Sequence, residues 1–286
     1  MARLVVLGGD ARETAAAAEL ARAGHHVTAY GQGAAVPSAA LEDLARAAAV
    51  IGPVRGTNGA GDAFVGIDGP LPIPAAWPAA CRPGTLWLLG GAGPWLRQQA
   101  EACGLILRTY GDRDAFTTLN AVPTAEGAIC EAGRLAGRTV WGERALVVGG
   151  GRCAQALVRD LLGLGARVVL AARSPEARAR AEVLGAETLP LHLLAEYARS
   201  CRFVFNTVPA LLVDRPVLTA LPAGSVVLDV ATAPGGTDFA AADALGIRAA
   251  LLPGIPGRWY PVTAGRILAG VVAEMLEEWE KGGDGR

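Results

Sequence analysis

Gly149-Gly150-Gly151-Arg152-Cys153-Ala154 follows the apolar run 145–148 and precedes a helical pattern. The G-x-G-x-x-A spacing is that of a turn that cradles a pyrophosphate. Gly149 bends the chain, Gly151 lets the backbone approach the ligand, and Ala154 brings helix and strand together. The anion then rests on free amides at the helix N-terminus, where Arg152 adds positive charge and Cys153 sits. Roughly 20 residues past the first glycine, an NAD-binding chain carries an acid for the ribose hydroxyl. Here the next strand, 168–171, ends instead in Ala172-Arg173-Ser174. A guanidinium and a hydroxyl suit a 2′-phosphate, so NADP is the expected cofactor; NAD is the alternative if Arg173 is merely solvated. Two further strand ends, Asn206-Thr207-Val208-Pro209 and Asp229-Val230-Ala231-Thr232, should face the crevice in which open parallel sheets bind ligands. Thr207, Val208, Pro209 and Asp229 are therefore expected at the nicotinamide end, with simple strand capping as the alternative reading.

The elements that must position these residues are those of a compact α/β chain. The 286 residues are 52% hydrophobic and 19% charged, enough for a large core or two medium ones. A net charge of -1 gives no electrostatic case for nucleic acid or an acidic membrane. No stretch approaches the roughly 18 apolar residues of a membrane helix. The chain opens with a strand pattern, Ala2 to Leu7, and not with a signal sequence, so a cytoplasmic location is expected. The five cysteines are widely spaced, with no metal-ligand pattern, and read as free thiols. Lys281 is the only lysine, and His25, His26 and His192 sit in structural contexts, so lysine and histidine chemistry is nearly excluded.

Two βαβ openings share one rhythm: Gly8, Gly24 and Val27 recur as Gly149, Gly165 and Val168. Two doubly wound Rossmann-like domains with parallel sheets and an interdomain cleft are expected. In the first turn, Gly8-Gly9-Asp10-Ala11-Arg12-Glu13, acids replace the second glycine and the third small residue, and would repel a pyrophosphate. The N-terminal domain, 1–122, is thus free for substrate or scaffolding. A helix entered at Pro123 or Thr124 and reaching about Leu135 begins the nucleotide domain, 123–262. Strands are also expected at 63–67, 86–89, 105–108, 203–206, 226–229 and 249–252, and a loop over 66–83. In the tail, 263–286, Ile267, Leu268, Val271, Val272, Met275, Leu276 and Trp279 share one helical face. That face should return to the N-terminal domain, and a homo-oligomer through it stays open.

Asn120-Ala121-Val122-Pro123-Thr124-Ala125-Glu126-Gly127-Ala128-Ile129, the nucleotide turn, Phe205 to Pro209, Ala233 to Phe239, and Pro253 to Gly257 with Thr263-Ala264-Gly265 together resemble the family of dipicolinate synthase A subunits. Gly8-Gly9-Asp10 with Arg12 belongs to the same likeness. The resemblance implies an oxidoreductase of the sporulating mother cell that, with a flavoprotein-like B subunit, converts dihydrodipicolinate to dipicolinate. It also implies a fold similar to the two-domain alanine and hydroxyacid dehydrogenases. Oxidising such a small dicarboxylate needs a base, for which Glu126, Asp229 and Asp238 are the candidates; Glu126 could equally be a first-turn acid favouring the helix dipole. Arg12, Asn120, Thr124, Gly235 and Gly236 are the candidates for holding the substrate carboxylates. Two other readings stay open: an NADP-dependent dehydrogenase of another small carboxylate, and a nucleotide-binding protein without chemistry of its own that depends on its flavoprotein partner.

Overall fold

The computed structural model describes residues 1–31, 36–66 and 69–282. They form two compact units, one of Met1–Asn120 with Pro256–Arg286, the other of Ala121–Ile255.

The first unit opens with β1 (Arg3–Leu7), α1 (Ala11–Arg22) and β2 (His26–Tyr30), followed by α2 (Leu41–Arg46) and β3 (Ala49–Ile51). Next come β4 (Ala63–Val65), β5 (Pro70–Pro72) and α3 (Ala76–Ala80). The unit continues through β6 (Leu86–Leu89), α4 (Pro94–Ala102), β7 (Ile106–Thr109) and the first turns of α5 (Asp114–Ala136). Five strands make a parallel sheet in the order β2-β1-β3-β6-β7. Side chains alternate across a strand, and both faces of this sheet are covered. Leu4 and Val6 accordingly join one core with Ala16, Ala17 and Leu20 of α1, whereas Val5 and Leu7 join another with Leu44, Trp77 and Trp87.

The second unit holds β8 (Arg144–Val148), α6 (Arg152–Gly163), β9 (Arg167–Ala171), α7 (Pro175–Val183), β10 (Glu187–Leu189) and α8 (Leu194–Ala198). It continues with β11 (Phe203–Asn206), α9 (Arg215–Ala220), β12 (Val226–Asp229), α10 (Phe239–Ala244) and β13 (Arg248–Leu251). All six strands are parallel, in the order β10-β9-β8-β11-β12-β13. This is the doubly wound order whose direction reverses between the first and fourth strands, here β8 and β11.

After α11 (Ile255–Trp259), helix α12 (Pro261–Glu280) packs on α1 in the first unit, as its apolar stripe predicts. Leu268, Val271, Val272, Met275 and Leu276 are buried there, with Ile267 and Trp279 at the margin. A Cβ at Gly265 would lie 2.8 Å from the Ala16 nitrogen, so the absence of a side chain sets the close approach of the two helices.

Several expectations change. The helix predicted from Pro123 starts at Asp114 and carries Pro123 in its interior. Proline removes the N–H owed to the carbonyl of Leu119, and the helix continues past that one lost bond. The division between units falls after Asn120, within α5, and the tail joins the first unit from Pro256, earlier than 263. The strand predicted over 63–67 is β4; it pairs antiparallel with β5 in a hairpin apart from the main sheet, and Ile67 lies outside the described residues. β5 and α3 occupy much of the predicted loop 66–83. Prolines at 70 and 72 are tolerated because a two-stranded hairpin leaves one side of each strand unpaired. The central strand β3 and the edge strand β10 were not expected from the sequence; each is three residues long.

Candidate nucleotide site

Register brings the relevant strand ends into line: Val148 lies opposite Ala171 and Asn206, and Asn206 opposite Asp229. The 149–154 turn therefore leaves β8 at the point where strand direction reverses, which is where open α/β sheets bind ligands. Gly149 has φ +120°, and a Cβ there would sit 2.1 Å from the Thr207 hydroxyl oxygen. Gly150 has its own constraint, which the sequence did not disclose: a Cβ would lie 2.4 Å from that of Ala177 on α7. At Gly151 a Cβ would meet nothing within 4 Å. Gly151 is also the N-cap of α6, and no side chain caps the helix there, so the amides of its first turn face the glycine-rich turn. Ala154 is fully buried, consistent with tight packing of helix on strand.

Beside the turn lies a crevice of about 380 Å³ lined by Gly149, Gly150, Ala172, Arg173, Ser174, Ala177, Arg180, Leu191, Val208, Ala210 and Leu212. Of the residues predicted for the cofactor, Gly149, Arg173, Ser174 and Val208 line it. Thr207 stands behind the turn, its hydroxyl donating to the Val148 carbonyl (2.9 Å). Pro209 is exposed. Arg152 is exposed at the start of α6, and Cys153 is half-buried there. Burial pushes the Cys153 thiol pKa up against the pull of Arg152, so it remains a neutral thiol. Ser174 caps α7 by accepting from the Ala177 amide (3.2 Å), and its hydroxyl donates to the Glu176 carboxylate. Sequence reasoning missed Gly150, Ala172, Ala177, Arg180, Leu191, Ala210 and Leu212; only the basic Arg178-x-Arg180 pattern offered a signal.

Asp229, expected as a base or a cofactor contact, is fully buried and saturated. Its carboxylate accepts from Asn206 Nδ2 (2.9 Å), the amides of Ala231 (3.0 Å) and Gly236 (2.8 Å), and the Thr237 hydroxyl (2.8 Å). Asn206 in turn donates to the Val208 carbonyl and accepts from the Val208 amide, while Leu212 and Val213 donate to the Gly236 carbonyl. Asp229 thus holds the loops after β11 and β12 together behind the crevice wall. Gly236, expected at substrate, is an element of this knot: a Cβ there would be 2.2 Å from the Ala210 carbonyl oxygen. Gly235 packs against the same carboxylate. Asp238 caps α10 through the Ala241 amide (2.9 Å). Glu126 is an exposed residue of the α5 interior, not a first-turn acid, because the helix begins at Asp114. Thr124 is half-buried on the same helix.

In the first unit the corresponding turn is filled by the protein itself. Asp10 and Glu13 form a complete capping box: Asp10 Oδ1 accepts from the Arg12 amide (2.9 Å) and Glu13 Oε2 from the Asp10 amide (2.7 Å). Glu13 Oε1 also accepts from the Val54 amide (2.7 Å). Arg12, expected to grip substrate, is 3% exposed; it pairs with Asp10 (3.0 Å) and donates to Asn120 Oδ1 (3.4 Å). Its charge is directed to its own neighbours, because two buried carboxylates flank it. Burial pushes the Glu13 carboxyl pKa up to about 7, against the pull of Arg12 and with a further push from Asp10. Asp10 moves the other way: burial raises its pKa, but the charge and hydrogen bonds of Arg12 outweigh this.

Two parallel-sheet units of Rossmann type, one with an uncapped glycine-rich turn over a crevice and the other with that turn closed, define a two-domain Rossmann-like α/β protein. Residues 3–110 match the model of the N-terminal domain of the dipicolinate synthase A subunit. The chain is similar to the crystal structure of the dipicolinate synthase A subunit from Bacillus halodurans, with 31% identity, TM-score 0.80, and 96% of this chain and 97% of that one covered. It is also similar to the crystal structure of the dipicolinate synthase A chain from Bacillus subtilis, with 27% identity, TM-score 0.82, and coverage of 98% and 97%. The dipicolinate synthase A subunit of Bacillus subtilis (strain 168) is 37% identical over 169 residues, 58% of this chain and 56% of that relative. That sequence match thus spans little more than half of the curated relative. The chain belongs to the family of dipicolinate synthase A subunits, a family of oxidoreductases. Among the described residues, no helix is long and apolar enough to cross a membrane.

Proposed function

We propose that the chain, as the A subunit of a dipicolinate synthase with a flavoprotein-like B subunit as its partner, itself carries out the NADP-dependent oxidation of dihydrodipicolinate to dipicolinate during sporulation. The observation that carries the nucleotide assignment is the 149–154 turn, with its open Gly151, its uncapped α6 amides and the crevice beside it. These residues fit a dinucleotide. The α6 amides would hold the diphosphate, Ala172, Ala177, Leu191 and Leu212 would wall the adenine, and Arg173 would meet a 2′-phosphate, NAD being the alternative. Bound there, the nicotinamide would supply a hydride acceptor. The substrate gives up a hydride and a proton as its ring becomes aromatic, so little acid–base power is demanded of the chain.

A second reading has an observation in its favour. Asp229 and Asp238 are engaged by main-chain amides and Glu126 is exposed, so none of the three expected acids lines the crevice. In that reading the chain binds nucleotide, and its flavoprotein-like partner supplies the proton acceptor or the oxidation itself. The test is an assay of the purified chain with dihydrodipicolinate and NADP or NAD, with and without the B subunit, following reduced nucleotide and dipicolinate together. Stoichiometric formation of both by the chain alone supports the first reading. Turnover only with the B subunit present supports the second, and no turnover with either nucleotide in either arrangement removes both.

A further inference from the structure

One rim of the crevice carries an arrangement that nucleotide binding as such does not require. Arg173 at the end of β9, Ser174 at the start of α7 and Arg180 further along α7 line it together. The remaining arginine of α7, Arg178, is turned to the backbone: its Nη1 donates to the carbonyls of Ala172 (2.8 Å) and Arg173 (3.1 Å). It ties the helix to the strand end and fixes where Arg173 starts. Within this basic rim stands one acid. Glu176 accepts the Ser174 hydroxyl, and that bond, aided by the fields of Arg180 and Arg178, holds its carboxyl below the ordinary range. A carboxylate of the chain therefore already takes the Ser174 hydroxyl, one of the groups that a bound phosphate monoester would seek, and sits in the field of Arg180. Such a phosphate brings nearly two negative charges and three acceptor oxygens where Glu176 brings one charge.

Resting on the nucleotide reading above, we propose that Arg173, Ser174 and Arg180 form a subsite for the ribose 2′-phosphate, and that Glu176 is its built-in competitor. A dinucleotide with the 2′-phosphate displaces the Glu176 carboxylate from the Ser174 hydroxyl; one without it leaves that contact in place. Selectivity between the two nucleotides is then set by the acid as well as by the arginines. Arg180 and Glu176 are specificity residues that neither the turn nor the end of β9 discloses.

The test is calorimetric titration of the full chain, and of the Glu176→Gln and Arg180→Ala variants, with ADP-ribose and with ADP-ribose 2′-phosphate. Both substituted residues, Glu176 and Arg180, are exposed, and glutamine can still accept the serine hydroxyl, so the variants keep the fold. Removing one exposed like charge should tighten the 2′-phosphate ligand about threefold. Removing one charge-assisted partner should weaken it about tenfold. ADP-ribose should change less than about twofold in both, and the contrast should shrink as salt screens the rim. Equal shifts for both ligands, or no shift for either, overturns the proposal while leaving nucleotide binding intact. Failure of the unsubstituted chain to bind either ligand overturns the nucleotide reading, and this proposal with it.

Discussion

Glu13→Gln should remove a pH dependence of stability that the wild-type chain carries between about pH 4.5 and 7. Burial raises the Glu13 carboxyl from its ordinary 4.5 to about 7 in the folded chain. In that interval the folded state keeps the proton and the unfolded state has released it. The unfolding free energy therefore falls as pH rises and levels off above about pH 7. At about 1.4 kcal/mol per pH unit, the interval corresponds to about 3 kcal/mol. Asp10 acts in a separate window: its folded pKa is depressed, so its stabilisation is present above 3.8 and is lost as pH falls below that value. The assay is urea unfolding of wild type and variant at intervals from pH 4.5 to 8, followed by tryptophan fluorescence, to which the first unit contributes five of the six tryptophans. The wild-type minus variant stability should fall by about 3 kcal/mol across the range. Parallel curves would refute the claim that the capping box of α1 holds a proton near neutrality.

Neighbouring glycines of the nucleotide turn should fail differently. Gly150→Ala drives a methyl to 2.4 Å from Ala177 and should cost about 1–3 kcal/mol in thermal or urea unfolding. Gly151→Ala meets nothing in the chain and should cost less than about 1 kcal/mol, while weakening nucleotide binding by blocking close approach to the diphosphate. Asp229→Asn keeps the shape of the side chain but turns one acceptor into a donor, among four donors that need acceptors. It should cost about 3 kcal/mol by urea titration, and a loss below about 1 kcal/mol would show that the knot behind the crevice is not held by that carboxylate.

The nucleotide turn was legible because its requirements are local: bend, approach and packing fall on Gly149, Gly151 and Ala154 within six residues. Strands β8, β9, β11 and β12 of the second unit were legible because they are apolar runs buried on both faces. Asp229 was correctly placed at a strand end and misjudged in role. Three of its four donors come from the following loop, Ala231 to Thr237, and the fourth from Asn206 on the adjacent strand, so only the paired strands reveal that it is saturated. Pro123 misled because a proline usually marks a helix edge, whereas the α5 pattern on either side outweighs one missing bond. Glu13 was within reach of sequence reasoning: Asp10-x-x-Glu13 has the spacing of a capping box, and that spacing predicts which groups occupy the first turn.

The self-filled start of α1 limits how the two halves of the chain can exchange roles. Stripping the acids from Asp10 and Glu13 would vacate the helix end, but it would also leave the amide of Val54 without its acceptor and Arg12 buried with no counter-ion. Opening a second anion cradle in the first unit would therefore take concerted change in the loop around residue 54 as well as in the turn.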